Sequence, residues 1–248
     1  LGAGYSSSEG VVLTAGLSQQ NLFGSGNALA FEVNTSKSNT VLSITHTDPF
    51  VTTEGISRTI ELYWRDSNLA ELGLSSVGYA TRGAGLLYGI PFTEYDRVFL
   101  GLRYEGTTID LTPTSPPRYI EYVQDFGETS DALALTAGWS ADSRDSLLFP
   151  TRGRVQSAFG EFAIPVLDLE YYRLTYRLQQ FFPLASFVTL AFATELGYGD
   201  GYGGRPYPFF KNFYVGGIGS VRGFEAASLG PRDIYGDPLG GTRRFNAT

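Results

Sequence analysis

The chain has 248 residues with 31 glycines, 15% aromatic residues, no cysteine and no methionine, a net charge of −7 and a pI near 4.8. The absence of cysteine excludes disulfide staples and thiolate metal sites. The acidic balance, with its bases scattered and never in a run, argues against nucleic acid as a partner. A chain that opens at Leu1 with neither initiator nor signal peptide is expected to be a piece of a longer protein. No stretch approaches the roughly 18 apolar residues of a membrane helix, and no segment sustains a 3.6-residue apolar period, so helices are not expected.

Period-two alternation recurs instead. It predicts strands near 1–6, 10–20, 26–36, 39–47, 56–65, 76–90, 96–106, 131–140, 153–164, 170–182 and 186–199, with a twelfth beginning at Thr242. In "ISRTIELYW", Ser57, Thr59, Glu61 and Tyr63 oppose Ile56, Ile60, Leu62 and Trp64, with Arg58 as the misfit. In "YYRLTYRLQQFF", Tyr172, Leu174, Tyr176 and Leu178 oppose Arg173, Thr175, Arg177 and Gln179. In "VTLAFATELGY", Val188, Leu190, Phe192, Leu196 and Tyr198 oppose a small, polar face carrying Glu195. Most of these segments reach the roughly 9 to 11 residues that a tilted strand needs to cross a bilayer.

The connections alternate in length. "NLFGSG", "DPFVTTEG", "PFTEYD" and "FPLAS" are short, whereas 107–130 and 200–241 are long and both follow odd-numbered strands, which places them at one rim. Long loops at one rim and short turns at the other describe an antiparallel up-and-down transmembrane β-barrel in an all-β chain. A soluble sandwich or lipocalin-like sheet also alternates, but its dry core would tolerate few of the charges opposite the apolar faces. The same phase argument assigns Glu32, Glu61, Arg103, Arg173, Arg177 and Glu195 to a wet lumen. Tyr5, Trp64, Tyr104, Trp139 and Tyr198, at strand ends, suit interfacial aromatic girdles.

Signals for bond-making chemistry are weak. His46 is the single histidine, so a Ser–His pair would have to use it; the expected position is a rim, near Asp48. "GGIGSVRG" lacks the G-x-G-x-x-G spacing and the following helix of a dinucleotide site. Asp142 and Asp145 flank Arg144, which favours a turn network over a Ca²⁺ site. No enzyme activity, metal or cofactor is expected.

Two segments carry a family resemblance. "SRDSLLFPTRG" (143–153), with Arg144, Asp145, Phe149, Pro150, Thr151 and Gly153, and "FYVGGIGSVRGF" (213–224), with Val221, Arg222, Gly223 and Phe224, resemble the outer-membrane-protein assembly factor superfamily. "LGYGDGYGG" and "PFFKNFYVGG" add to the likeness, which extends from "GAGYSSSEG" onward.

The resemblance implies a sixteen-stranded barrel that follows periplasmic POTRA repeats, of which residues 1–248 would be the first 11 to 12 strands and the long loop. It implies a bacterial outer-membrane location, with lipid and lipopolysaccharide around the barrel, unfolded β-barrel proteins as clients, and accessory periplasmic lipoproteins as partners. It also implies a lateral seam at the first strand, Leu1, Gly2, Ala3, Gly4, Tyr5 and Ser6, whose edge would template client strands by backbone pairing. Gly2 and Gly4 either weaken pairing at that seam or relieve crowding in a curved strand. Arg222 is implied to reach inward to carboxylates on strands after Thr248, with Gly216, Gly217, Gly219 and Gly223 easing the backbone path. A TamA-like translocation barrel, a two-partner secretion transporter and a passive porin or ligand channel remain alternatives.

Overall fold

Alternating strands with a polar and an apolar face have one stable arrangement when every backbone group must be paired: a continuous antiparallel ladder. A computed structural model describes residues 1–6, 10–68, 77–185, 187–217, 220–225 and 227–248. The expected starts of the sixth and eleventh strands, 76 and 186, lie outside the described residues, as does Gly219.

Twelve strands form one sheet in sequence order. They are β1 (Gly2–Ser6), β2 (Gly10–Gln19), β3 (Ala28–Thr35), β4 (Asn39–Asp48), β5 (Ser57–Asn68) and β6 (Val77–Pro91). The second half comprises β7 (Asp96–Leu111), β8 (Thr129–Asp142), β9 (Gly153–Ala163), β10 (Tyr171–Ala185), β11 (Val188–Gly201) and β12 (Arg243–Ala247). All pairings between sequence neighbours are antiparallel, so the sheet is an open, partial barrel with β1 and β12 at its edges.

Register separates two faces. One row runs Leu17, Phe31, Ile44, Leu62, Ala84, Tyr104 and Leu133 from β2 to β8. Its leucines, Phe31 and Ile44 are exposed, apart from the half-buried Leu133. Leaving a large aliphatic side chain in water forgoes about 1.5–3 kcal/mol, so an apolar face this extensive fits lipid. Trp64, Tyr104 and Tyr198 lie on it toward the long-loop rim, and Trp139 lies toward the short-turn rim. From Val98, the β7 partner of Trp139, to Tyr104 the strand rises roughly 20 Å, about the height of an apolar band. Arg58, the misfit in its strand, lies on this face where β5 begins, paired with Asp48 at 3.6 Å beside the β4–β5 turn.

The adjacent row runs Gly16, Glu32, Ser43, Tyr63, Gly83, Glu105 and Ala132. The long loops pack against this inner face, and the buried core lies beneath them. One cluster joins Val77 and Ile109 of the wall to Tyr119, Tyr122 and Phe209; a second joins Ala132, Ala163, Leu169, Tyr171 and Tyr207.

The structure corrects the expectation that helices are absent. Residues Pro117–Phe126 form a helix, α1, inside the loop between β7 and β8, which itself is shorter than the expected 107–130 because β7 continues to Leu111. Its signals are local: Pro at the first helical position, Gly127 at φ +90° after the end, and Tyr119, Tyr122, Val123 and Phe126 at i, i+3, i+4 and i+7. That stripe packs on the second long loop. Tyr119 stacks on Phe209 with ring centroids 3.9 Å apart, Tyr122 meets the same ring edge-on at 5.2 Å, and the Tyr119 hydroxyl donates to the Leu239 carbonyl at 3.0 Å. We expect Tyr119→Ala in the full-length protein to cost about 3–5 kcal/mol of loop docking. Faster amide hydrogen exchange across 207–213 and 239–241 would register it, and unchanged exchange would show that α1 does not hold the loop.

Candidate functional site

The loop after β11 runs back over the inner wall, and glycines mark where its aromatics land. A Cβ at Gly199 would come within 2.6 Å of the Tyr207 ring, and one at Gly197 within 2.7 Å of the Phe213 ring. Between those two aromatics a 3-10 turn, Phe209–Lys211, lowers Lys211 onto the wall. Its ammonium pairs with the carboxylate of Glu105 on β7 and lies 3.5 Å from that of Glu161 on β9. Glu105 also accepts the Tyr63 hydroxyl at 2.8 Å, and Glu161 accepts the Tyr171 hydroxyl. Tyr207 donates its hydroxyl to the Lys211 carbonyl at 3.0 Å.

This cluster is largely buried. The side chains of Lys211, Glu105 and Glu161 are only 14%, 13% and 4% exposed, so charges are held where desolvation is expensive and pairing must offset it. Burial opposes charge on Lys211, but the carboxylates of Glu161 and Glu105 outweigh it and hold its pKa above the ordinary 10.5. Arg103 adds a favourable field at Glu105. Arg173 covers the Phe213 ring at 4.4 Å, a cation–π contact that fixes the loop one step further along. A second network, near β12, places Glu195 between Arg177 at 2.8 Å and Arg244 at 2.5 Å.

At the opposite rim the β8–β9 turn closes on itself. Asp145 accepts the Thr151 hydroxyl at 2.5 Å and the backbone N–H groups of Arg152 at 3.1 Å and Thr151 at 2.9 Å, which pull its carboxyl down to about 2. Arg144 forks onto Asp142 at 2.9 and 2.6 Å. Gly153 sits at φ +92°, and a Cβ there would fall 2.1 Å from the Ser143 carbonyl oxygen, so the turn requires glycine. Phe149 is exposed at its tip, beside Pro150.

The Omp85 superfamily domain matches residues 21–248. This chain belongs to the Omp85 superfamily. It is 37% identical, along its whole length, to the outer membrane protein assembly factor BamA of Neisseria meningitidis serogroup B, and 25% identical over 98% of its length to BamA of Nitratidesulfovibrio vulgaris. The crystal structure of BamA from Haemophilus ducreyi lacking POTRA domains 1–3 superposes with a TM-score of 0.90 at 26% identity, covering 99% of this chain and 51% of that one. The chain spans about a third of the length of the curated relatives, 33% and 30% respectively.

Within this Omp85 sheet, register carries Glu32, Glu61, Arg103, Arg173, Arg177 and Glu195 all to the inner face. Glu61 pairs across to Thr45 and Gly85, and Arg103 to Gly85 and Ala134. Leu1 precedes the edge strand β1, where Gly2, Ala3, Gly4, Tyr5 and Ser6 pair with residues 14 to 10 of β2. Arg222 is exposed and makes no ion pair among the described residues; Val221 is half-buried, and Gly223 and Phe224 are exposed. The described loop glycines Gly216, Gly217 and Gly223 adopt φ of +125°, +89° and +93°. His46 lies on the outer face between Leu29 and Ile60, two residues before Asp48 at the short-turn rim.

Sequence reading missed Lys211, Glu105 and Glu161. Glu105 shares the phase of Arg103 but sat at the expected end of its strand. Lys211 is one of only two lysines among eighteen bases and is flanked by aromatics, the one local hint of a seat. We expect Lys211→Met, which leaves two buried carboxylates unpaired, to cost about 3–5 kcal/mol of loop docking. Because the folded pKa is raised, the ammonium's contribution is fully present below pH 10.5 and is lost only as pH rises through the elevated value. Protease resistance of the loop in the full-length protein should therefore be flat from pH 7 to about 10 in the wild type, and low throughout that range in the variant. A fall in wild-type resistance near neutral pH would contradict this role for Lys211.

Proposed function

We propose that this chain is the barrel portion of an outer-membrane assembly factor, which folds and inserts β-barrel proteins into the bacterial outer membrane. The observation that carries this reading is the continuous antiparallel sheet, apolar on its outer face and seating a long loop on its inner face, in the fold of the BamA barrel it superposes on. In this reading β1 borders a lateral seam, where a strand edge inside lipid leaves backbone donors and acceptors that an incoming strand can satisfy, so that it acts as a template. The names of the full-length relatives, two of them assembly factors, support the same reading. A passive channel is disfavoured because the long loop and α1 fill the inner wall with a buried core.

In this reading the outer face meets outer-membrane lipid and lipopolysaccharide, clients arrive unfolded from the periplasm, and accessory periplasmic lipoproteins join the full-length protein. The two seam glycines differ. A Cβ at Gly2 would lie 2.6 Å from the Thr14 hydroxyl, whereas one at Gly4 meets nothing within 4 Å. Gly4→Val therefore strengthens strand character without a clash, by about 0.5–1 kcal/mol, and should slow client insertion into liposomes about two- to fivefold if β1 must yield. An unchanged rate with a correctly folded variant would remove the gate role from Gly4.

Arg222 is proposed to pair with carboxylates on strands after Thr248. Arg222→Glu should expose the loop to external protease and impair assembly, and Arg222→Lys should rescue only partly because it lacks the planar fork. Wild-type protection in the Glu variant would make Arg222 an ordinary surface residue.

A further inference from the structure

Each of the five turns at the short-turn rim, those before β3, β5, β7, β9 and β11, carries an exposed phenylalanine: Phe23, Phe50, Phe92, Phe149 and Phe187, with exposures between 74% and 99%. At the opposite rim the aromatics are mixed, with Phe224 and Tyr235 exposed at 52% and 62% but five others covered. Tyr119, Tyr122, Tyr207, Phe209 and Phe213 fold onto the inner wall and are buried. The turn phenylalanines are thus uniformly exposed at the short-turn rim, whereas the long loop buries Tyr207, Phe209 and Phe213.

Phe23 sharpens the contrast. It occupies a left-handed conformation, φ +50° and ψ +29°, at the tip of the β2–β3 turn, where glycine or asparagine would sit without strain. A turn that accepts a strained, fully exposed Phe needs something to offset both the strain and the bare ring. We infer that the five turn phenylalanines insert into the phospholipid leaflet at the short-turn rim, fixing how deep that rim sits in the membrane.

Geometry favours lipid over a protein partner. From the β2–β3 turn to the β10–β11 turn there are eight strand spacings, an arc of roughly 40 Å. A standard protein footprint of about 800 Å² is only about 30 Å across, and it would engage one side of such an arc. A leaflet surrounds all of it. The ring is also continuous with the apolar outer face through Tyr88, Leu100 and Trp139 near the same rim. Charge is nearly balanced, with Glu54, Glu94 and Asp145 against Arg144 and Arg152, so the turns suit a zwitterionic headgroup layer rather than a polyanionic surface. Aromatic rings settle at that depth because it is apolar on one side and wet on the other.

The inference rests on the outer face being lipid-facing, which the native Trp64 and Trp139 report independently. Phe23→Trp, Phe92→Trp and Phe149→Trp are introduced singly into the full-length protein, purified alone and reconstituted in zwitterionic phospholipid vesicles. Emission above that of the unmodified protein should fall at least twofold when the acyl chains are brominated near the headgroup, and should resist aqueous iodide. Emission quenched by iodide and insensitive to bromolipid would place the turns in water and overturn the inference. Emission insensitive to both would mean that protein covers them, which also overturns it. Loss of bromolipid quenching at Trp64 and Trp139 themselves would instead indict the lipid-facing assignment of the outer face.

Discussion

One buried ammonium between two carboxylates ties three separate parts of this chain together. Lys211 belongs to the loop, Glu105 to β7 and Glu161 to β9, and the two strands are joined only through β8. The cluster has a desolvation cost that only good geometry offsets, and the geometry is supplied by the wall: Tyr63 donates to the second oxygen of Glu105, Tyr171 donates to the Glu161 oxygen that faces Lys211, and Gly197 and Gly199 clear the ground on which Phe213 and Tyr207 land. Remove the ion pair and the aromatic contacts lose their register; remove the aromatics and the charges lose their shield from water. The loop is thus held by mutual dependence rather than by any one strong bond.

That seat divides the labour of the sheet. Its outer face is largely apolar, with polar groups such as Arg58 and His46 toward the rim, which suits a fluid lipid environment that recognises nothing specific. Its inner face is particular, with Lys211, Arg173, Arg177 and Arg244 each answered by a partner on the loop or on a strand of the wall. A well-anchored centre also lets the edges be weak. The proposed seam at β1 lies away from the docked loop, which packs on β6 to β11. Rigidity where the loop docks and looseness at the proposed seam are compatible because β2 to β5 separate β1 from β6, the first strand the loop packs on.

Strands were legible because each solvent imposes its own residue every second position, and lipid on one face against water on the other makes that alternation unusually clean. Loop asymmetry was legible for the same reason, since it follows from counting strands. Helix α1 was equally written in the chain, from Pro117 to Gly127, but ten residues inside an expected loop gave its three-turn stripe little weight against an all-β pattern. The Lys211 seat was beyond reach: Glu161 lies 50 residues away in sequence, and neither partner is distinguished from other charges of the same phase. The sequence drew attention to Arg222, whose motif is conspicuous, while the residue that fastens the loop to the described wall is a lysine in an aromatic run. A motif marks where glycine and charge are concentrated; it does not say which charge is buried.

The most direct measurement is a double-mutant cycle on the seat itself, combining Lys211→Met and Glu105→Gln in the full-length protein. Amide hydrogen exchange across residues 207–213 gives the docking free energy of all four forms. Coupling of about 2 kcal/mol, a factor of roughly thirty in opening, is expected for a buried, hydrogen-bonded pair. Additive effects, with no coupling beyond error, would mean that Lys211 and Glu105 do not act as a unit and that the loop is held by its aromatics alone.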